Sequence, residues 1–465
     1  MPFAWRPVLA VSVAAGVVLT ALSARYGYHR DELYFRAVGA HPAWGYPDQP
    51  PLVPLYAAVA GNSLVLLRLP AALAFMAGVV LTALTAREMG GGPRAQTVAA
   101  LAWAVTPALA LGGHLMQPTI FDVVAWTAVT FLVARWVRVR DDRLLLGVGL
   151  VAAVALQVKF LIVSFLAALL IGVLLAGPRE ILRRPLLYAG AAVAVLAALP
   201  GLWWQARHGW PQVTMGRVIA AKGTDGGRLG FLPWQLIDTG IFTAPIWIAG
   251  LLRLWRGPWR LFVWAYGLLL VVFLITGGKH YYMMGAYPAL WAAGAQAAER
   301  WRLRWVMFGV VPLTTAGVLL PVYPLRTLHA TPEAAISYDA RETVGWPALT
   351  AAVAKVYRPG YVILAGDNGV AGAIDRYGGA YGLPKAYGGQ NGLWYLGRPA
   401  DDGAPVIVVP ADRDQLTRYW SDVQVAGRVD DGVRIDNEEQ GQPIWICRGQ
   451  RVPWDRLWPQ LKRLS

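Results

Sequence analysis

The feature that most limits what this chain can fold into is a series of apolar runs separated by short polar stretches. They fall at roughly 7–24, 64–86, 96–112, 119–134, 144–158, 160–177, 186–203, 237–252, 261–277, 286–298 and 305–322. None alternates as a lipid-facing barrel strand would, so each reads as a helix whose backbone groups bond within the segment. Several are shorter than the ~20 residues that cross a bilayer, and tilt or polar flanks would complete them. Composition agrees, with 56% of the 465 residues hydrophobic and only 15% charged, against about 25% charged in a soluble globule. The expected fold is a multi-span α-helical membrane protein of about eleven transmembrane helices. The first run is followed by no Ala-x-Ala-like cleavage site, so it is expected to stay as an uncleaved span.

Lys and Arg number 42 against 27 Asp and Glu, a net charge of +15. In a soluble chain that excess would suggest nucleic acid. Here the basic residues sit in short loops between apolar runs, so no nucleic-acid partner is expected. One alternate set of loops holds Arg6, Arg87, Arg94, Arg135, Arg138, Arg140, Arg143, Arg179, Arg183 and Arg184. Arg253, Arg256, Arg260, Arg300, Arg302 and Arg304 continue the series. The positive-inside rule makes that side cytoplasmic, together with the N-terminus. The loop after the first run, the 113–118 turn, the Lys159 break, the 204–236 loop, the Lys279 segment and everything after about 323 then face outward from the plasma membrane. The 22 Trp suit interfacial aromatic belts. Cys447 is the single cysteine, which excludes an intramolecular disulfide and any Cys-based zinc site.

From about Thr331 the composition changes. Tyr361-Val-Ile-Leu-Ala, Pro405-Val-Ile-Val-Val-Pro, Val423–Val429 and Ile444-Trp-Ile-Cys read as strands, with helices at 346–357 and 411–421. Asn368-Gly, Gly378-Gly, Gly388-Gly and Asn391-Gly read as turns. The domain organisation expected is therefore a transmembrane catalytic domain, 1–325, and a small extracytoplasmic α/β domain, 326–465.

Polar clusters gather on the outward side. Tyr26-Gly-Tyr-His-Arg-Asp-Glu-Leu-Tyr-Phe35 places Asp31 and Glu32 just past the first span, where carboxylates need water, a partner or a substrate. Tyr46-Pro-Asp-Gln-Pro-Pro-Leu52 follows in the same loop. Together with Met116-Gln-Pro-Thr-Ile-Phe-Asp122, Gln157-Val-Lys-Phe160, Trp203–Pro211 and Lys279-His-Tyr-Tyr-Met-Met-Gly-Ala-Tyr-Pro288, these resemble the protein O-mannosyltransferase and aminoarabinose transferase group of the membrane-embedded glycosyltransferase C superfamily. The resemblance covers about residues 1–325 in order, and more weakly the tail around Gly366–Tyr395. It implies single-displacement transfer of a sugar from a polyprenyl-phosphate carrier to a glycan, lipid or protein acceptor on the outer face. It also maps the acidic first-loop residue onto Asp31 and its neighbour onto Glu32. Aminoarabinose transferases commonly carry an acidic-Lys-Pro-Pro sequence where this chain has Asp48-Gln49-Pro50-Pro51, one cation fewer at the phosphate site.

Each constellation has a plainer reading beside the functional one. Asp31 is expected to be the general base that takes the proton of the acceptor hydroxyl; the plainer reading is a solvated carboxylate paired with Arg30. Glu32 stands either as a second catalytic carboxylate or as a loop-holding group. Asp48 and Gln49 bind sugar hydroxyls, a metal or their own loop. Asp122 is a sugar contact or an N-terminal helix charge, and Lys159 is a lipid-phosphate ligand or a snorkelling cation. In the 204–236 loop, Arg207, His208, Arg217, Lys222 and Arg228 face Asp225 as the only acid before Asp238. Of these, His208, Lys222 and Arg228 join the substrate-binding set, the alternative being a basic face for anionic lipid. Lys279 is favoured for phosphate, and His280, Tyr281 and Tyr282 for the sugar, unless the tyrosines form an interfacial belt. His29, His41, His114, His208 and His280 all fall outside, and a zinc or other divalent site from a His with Asp48 or Glu32 is conceivable. No HxxxH spacing supports it, and the expectation is that no cofactor is required. The competing class is a transporter or flippase of lipid-linked sugars; transporters typically show internal repeats and helices interrupted near the midplane, whereas here the polar groups cluster in the outer loops, which argues for surface chemistry.

Overall fold

The computed structural model describes residues 1–223, 227–302 and 304–464; Asp225 lies outside them. The chain divides into two compact units. One comprises Met1–Ser23, Arg68–His208 and Gly216–Ala316, and the other Ala24–Leu67, Gly209–Met215 and Gly317–Ser465. The segment after the first apolar run thus shares a unit with the C-terminal residues, whereas the sequence alone suggests a boundary near 325.

In the first unit each apolar run is helical. Helix α1 is Trp5–Leu22, and Pro118–Val139 and Pro185–Arg207 are two further long helices. Run 96–112 is bent by 64° between Pro93–Ala104 and Pro107–His114, where Pro107 opens the second half. Run 237–252 lies in a pair bent by 83° around Gly240 (φ 83°). Among the described residues four helices, Leu64–Glu88 included, are long and apolar enough to cross a membrane, or six if each bent pair is one span. The helices Arg143–Ala155, Ile162–Ala176 and Leu261–Thr276 are shorter, so length and composition alone do not reach the eleven expected.

Packing between these helices relies on small residues. A Cβ on Gly149 would overlap the backbone of Gly190, and one on Gly294 that of Ile246, the close backbone approach by which helices associate in lipid. Helix Tyr287–Ala298 is buried on nearly every side, with Trp291 edge-on to Trp103 at 6.4 Å. Glu88 is buried and receives Arg87, Arg135 and Arg138 at 2.9, 3.0 and 2.6 Å. Three arginines that orient the chain in the sequence therefore also neutralise one sealed carboxylate.

In the second unit the stretch 24–67, which reads as a loop in the sequence, contains helices α2 (Arg30–Gly39) and α3 (Leu52–Val59). The C-terminal residues form a five-stranded mixed sheet: β1 Val362–Ala365, β2 Tyr387–Gly388, β3 Val406–Val409, β4 Trp420–Arg428 and β5 Pro443–Gln450, ordered β2-β1-β3-β5-β4. β1 runs parallel to β2 and β3, while β5 is antiparallel to β3 and β4. Val406, Val408, Trp420, Trp445 and Trp454 fill one core. Four strands and the helices Trp346–Val356 and Arg413–Tyr419 stand where the sequence expects them. Asn368-Gly is different: it opens helix Asn368–Tyr377, capped by the Asp367 side chain on Val370 N–H at 2.9 Å. That helix packs on α2 so closely that a Cβ on Gly372 would lie 2.5 Å from the Leu33 carbonyl carbon.

Candidate active site

The residues expected to act fall into two groups, one in each unit. In the second unit, α2 begins with a capping box. His29 Nδ1 accepts the Asp31 N–H at 3.2 Å, and Glu32 Oε2 accepts the His29 N–H at 2.9 Å. Glu32 is wholly buried, and its side chain closes the helix cap. Asp31 sits in the first turn, where the helix dipole favours an anion, with its side chain 40% exposed. Its carboxylate lies 4.0 Å from His29 Nδ1, and His29 Nε2 lies 3.3 Å from Asp339 on the opposite side. Burial works against a charged His29, but the Asp339 hydrogen bond and the charges of Asp31, Asp339 and Glu32 outweigh it and raise its pKa. Arg30 turns away to Tyr338, Glu438 and Glu342 at 2.5, 2.9 and 3.5 Å.

Asp48 accepts the Tyr34 hydroxyl at 2.7 Å, and that hydroxyl accepts the Gly392 N–H at 2.9 Å. Burial pushes the Asp48 carboxyl up to about 6; the Tyr34 hydrogen bond opposes the rise and the charge of Asp31 adds to it. The two carboxylates therefore feel each other. Gln49 closes a turn by accepting the Tyr46 N–H at 2.9 Å on its backbone oxygen. Its side chain is buried, and Nε2 finds no hydrogen-bond partner among the described residues.

In the first unit, Lys159 stands between helices Arg143–Ala155 and Ile162–Ala176. Its Nζ donates to Thr119 Oγ1 at 3.4 Å and lies 5.3 and 5.0 Å from the ring centres of Tyr281 and Tyr282. Burial lowers its pKa, and the Asp122 carboxylate works against that. Asp122 accepts the Trp126 indole N–H at 3.2 Å. Lys159, Asp122, Tyr281 and Tyr282 thus come together. His280 adjoins them through Tyr281, with Nδ1 2.6 Å from Asp238 and its ring stacked on Trp234 at 4.4 Å. His208 is held by its own helix, Nδ1 lying 2.7 Å from the Trp204 carbonyl oxygen and the ring stacked on Trp204. Lys222 and Arg228 are exposed. Arg228 lines a small recess with Gly277 and Gly278, the residues that precede the half-buried Lys279.

Sequence reasoning missed Tyr34, Asp339, Thr119, Trp234 and Asp238 as partners. Asp339, Thr119, Trp234 and Asp238 are brought to their partners from distant segments, whereas Tyr34 lies within the Tyr26–Phe35 stretch, 14 positions from Asp48. Among the described residues, the group of at least three metal-ligand types lying together is Glu342, Glu438 and Glu439; neither Asp48 nor Glu32 is in it.

The largely helical chain with its small C-terminal sheet shares its fold with a solved membrane-type protein, and part of it matches a family model. Residues 48–204 match the family model for dolichyl-phosphate-mannose-protein mannosyltransferase. Among solved structures, ArnT from Cupriavidus metallidurans in the apo state is 15% identical, with a TM-score of 0.64 over 94% of this chain and 97% of that one. ArnT from the same organism bound to undecaprenyl phosphate is 16% identical, with the same TM-score and coverage. No curated protein matches.

Proposed function

We propose that the protein is a polyprenyl-phosphate-sugar-dependent glycosyltransferase of the plasma membrane that transfers a sugar, with inversion, to an acceptor hydroxyl on the outer face. The reading takes all of the apolar runs as spans, the shorter ones completed by polar flanks. It is supported by likeness of fold, over nearly the whole chain, to a protein whose structure holds undecaprenyl phosphate, and by the family match over 48–204. The observation that carries it is the contrast among the three carboxylates of the first polar segment. Glu32 is sealed in a helix cap and Asp48 is bound by Tyr34, while Asp31 keeps solvent access at a helix N-terminus.

In this mechanism the Asp31 carboxylate takes the acceptor hydroxyl proton as that oxygen attacks the anomeric carbon. The bond from the anomeric carbon to the phosphate oxygen breaks, and the lipid phosphate leaves with the electron pair. Lys159, oriented by Thr119 and the two tyrosine rings, is the cation assigned to that developing charge. Arg228 and Lys279 are the further candidates for the phosphate, and His208, Lys222, His280 and Asp122 for the carrier or the sugar.

The test is transfer of radiolabelled sugar from synthetic polyprenyl-phosphate donors by the purified protein. Label should become covalently attached to an acceptor with release of polyprenyl phosphate. Movement of intact donor across vesicles without any transfer would sink the enzyme reading and favour a flippase.

A further inference from the structure

The C-terminal residues carry a group of carboxylates that sugar transfer does not use. Glu342, Glu438 and Glu439 each bring one oxygen within 4.8 Å of the other two. Glu342 and Glu439 are buried, at 1% and 3% exposure, and Glu438 is exposed. Asp367 lies close enough for its charge to act on Glu439 and Glu438. Against these four acids stands the guanidinium of Arg30, 2.9 Å from Glu438 and 3.5 Å from Glu342.

The members are not equally satisfied. Glu438 also accepts the Tyr338 hydroxyl at 3.0 Å, and Glu342 accepts the Glu438 N–H at 3.4 Å. Glu439 is left out. Among the described residues neither of its carboxylate oxygens has a hydrogen-bond partner, although the side chain is sealed from solvent. A buried carboxylate with both oxygens unpaired is a costly arrangement that either a bound cation or a retained proton would relieve.

We propose that Glu342, Glu438 and Glu439 bind one divalent cation, and that the cation is calcium. All the donors are carboxylate oxygens, the ligands of hard cations, with no nitrogen or sulfur to favour zinc. Two oxygens that both touch a calcium at 2.3–2.6 Å lie at most about 5 Å apart, which the 4.8 Å grouping satisfies. The three glutamates come from turn and bend backbone rather than from helices or strands, so calcium's irregular, higher coordination suits them better than magnesium's strict octahedron. The cation would fasten the 437–440 turn to Glu342, whose carbonyl oxygen accepts the Arg30 N–H at 3.1 Å at the start of α2. It would thus brace the helix that carries Asp31.

The experiment uses the full chain in detergent, stripped with chelator and titrated with calcium, magnesium or zinc chloride by calorimetry and thermal melting. It needs neither donor nor acceptor, so its failure would leave the glycosyltransferase reading untouched. One calcium should bind per chain, the melting temperature should climb with calcium concentration, and magnesium should bind more weakly. Glu439→Gln should weaken calcium binding by ~10–100-fold, yet melt no lower than the parent without calcium, since the amide matches the protonated carboxyl in size. Terbium luminescence sensitised by Tyr338 and displaced by calcium gives a second readout on the unaltered chain. The proposal is overturned if calcium leaves the melting temperature unchanged, if Glu439→Gln binds calcium as the parent does, or if zinc or magnesium binds more tightly.

Discussion

Asp31 and Glu32 are adjacent carboxylates with opposite surroundings, and that difference predicts their mutants. Asp31 has an exposed carboxylate on the first turn of α2, and Asn has nearly its size but cannot take a proton. Asp31→Asn should therefore keep the fold and lose about 10²–10⁴-fold in transfer rate. Glu32 is buried and accepts the His29 N–H at 2.9 Å, a bond that Gln also accepts. Glu32→Gln should keep most of the turnover, while Glu32→Ala should lower stability by about 1–3 kcal/mol through an unsatisfied buried donor. Turnover and thermal melting of the three variants check both halves. A well-folded Asp31→Asn protein with ordinary turnover would end the assignment of Asp31 as base. Gln49 is informative at the same scale. Its side chain is buried, and its amide nitrogen lacks a partner among the described residues.

At the scale of elements, what was legible followed from pattern, and what was hidden depended on tertiary packing. The apolar runs became helices, and the β-branched stretches became β1, β3, β4 and β5. Helix α2 was hidden because its cap is His29 rather than Ser, Thr, Asp or Asn, so the capping-box signature ending at Glu32 did not stand out. Helix Asn368–Tyr377 was hidden because Asn-Gly-Val-Ala-Gly reads as a turn, and glycines are poor helix formers. Its glycines serve contact instead. Gly369 abuts Trp346 and Arg30, and Gly372 abuts the Leu33 backbone. The candidate site was legible as residues but not as groupings, since Asp339 reaches His29 across some three hundred positions. The glycine argument makes a prediction. Gly372→Ala should cost about 1–3 kcal/mol or more by overpacking, whereas Gly379→Ala, with nothing within 4 Å of its Cβ, should be nearly neutral. Comparable melting temperatures for the two variants would show that the contact between these helices yields.

For the molecule as a whole, one prediction concerns pH. The Asp48 carboxyl is raised from 3.8 to about 6, first by burial. The folded state then binds more protons at this site than the unfolded state between those values, so the stability contribution is full below about pH 4 and is lost as pH rises toward 6. Asp48→Asn should lack that slope while keeping an acceptor for Tyr34. Parallel melting curves for parent and variant from pH 4 to 7 would mean that Asp48 titrates normally.

The orientation in the membrane decides where the reaction takes place, and it rests on the arginine distribution. Arg87, Arg135 and Arg138 also pair with Glu88, so the expectation that their side is cytoplasmic leans on the other arginines of that alternate set of loops, such as Arg94, Arg256 and Arg260. The C-terminal residues would then lie outside the cell. The chain is well suited to a direct test, because its single cysteine, Cys447, is fully buried in the sheet and should stay silent to a membrane-impermeant maleimide. A probe thiol needs an exposed site whose backbone tolerates a side chain. Gly403 is exposed but has φ 72°, a strained setting for cysteine, whereas Ala400 is exposed and already carries a Cβ. Ala400→Cys should be labelled on intact cells as fully as after permeabilisation. Labelling only after permeabilisation would invert the topology, move Asp31 and the transfer reaction to the cytoplasmic face, and remove the outward-facing lipid-linked donor from the mechanism.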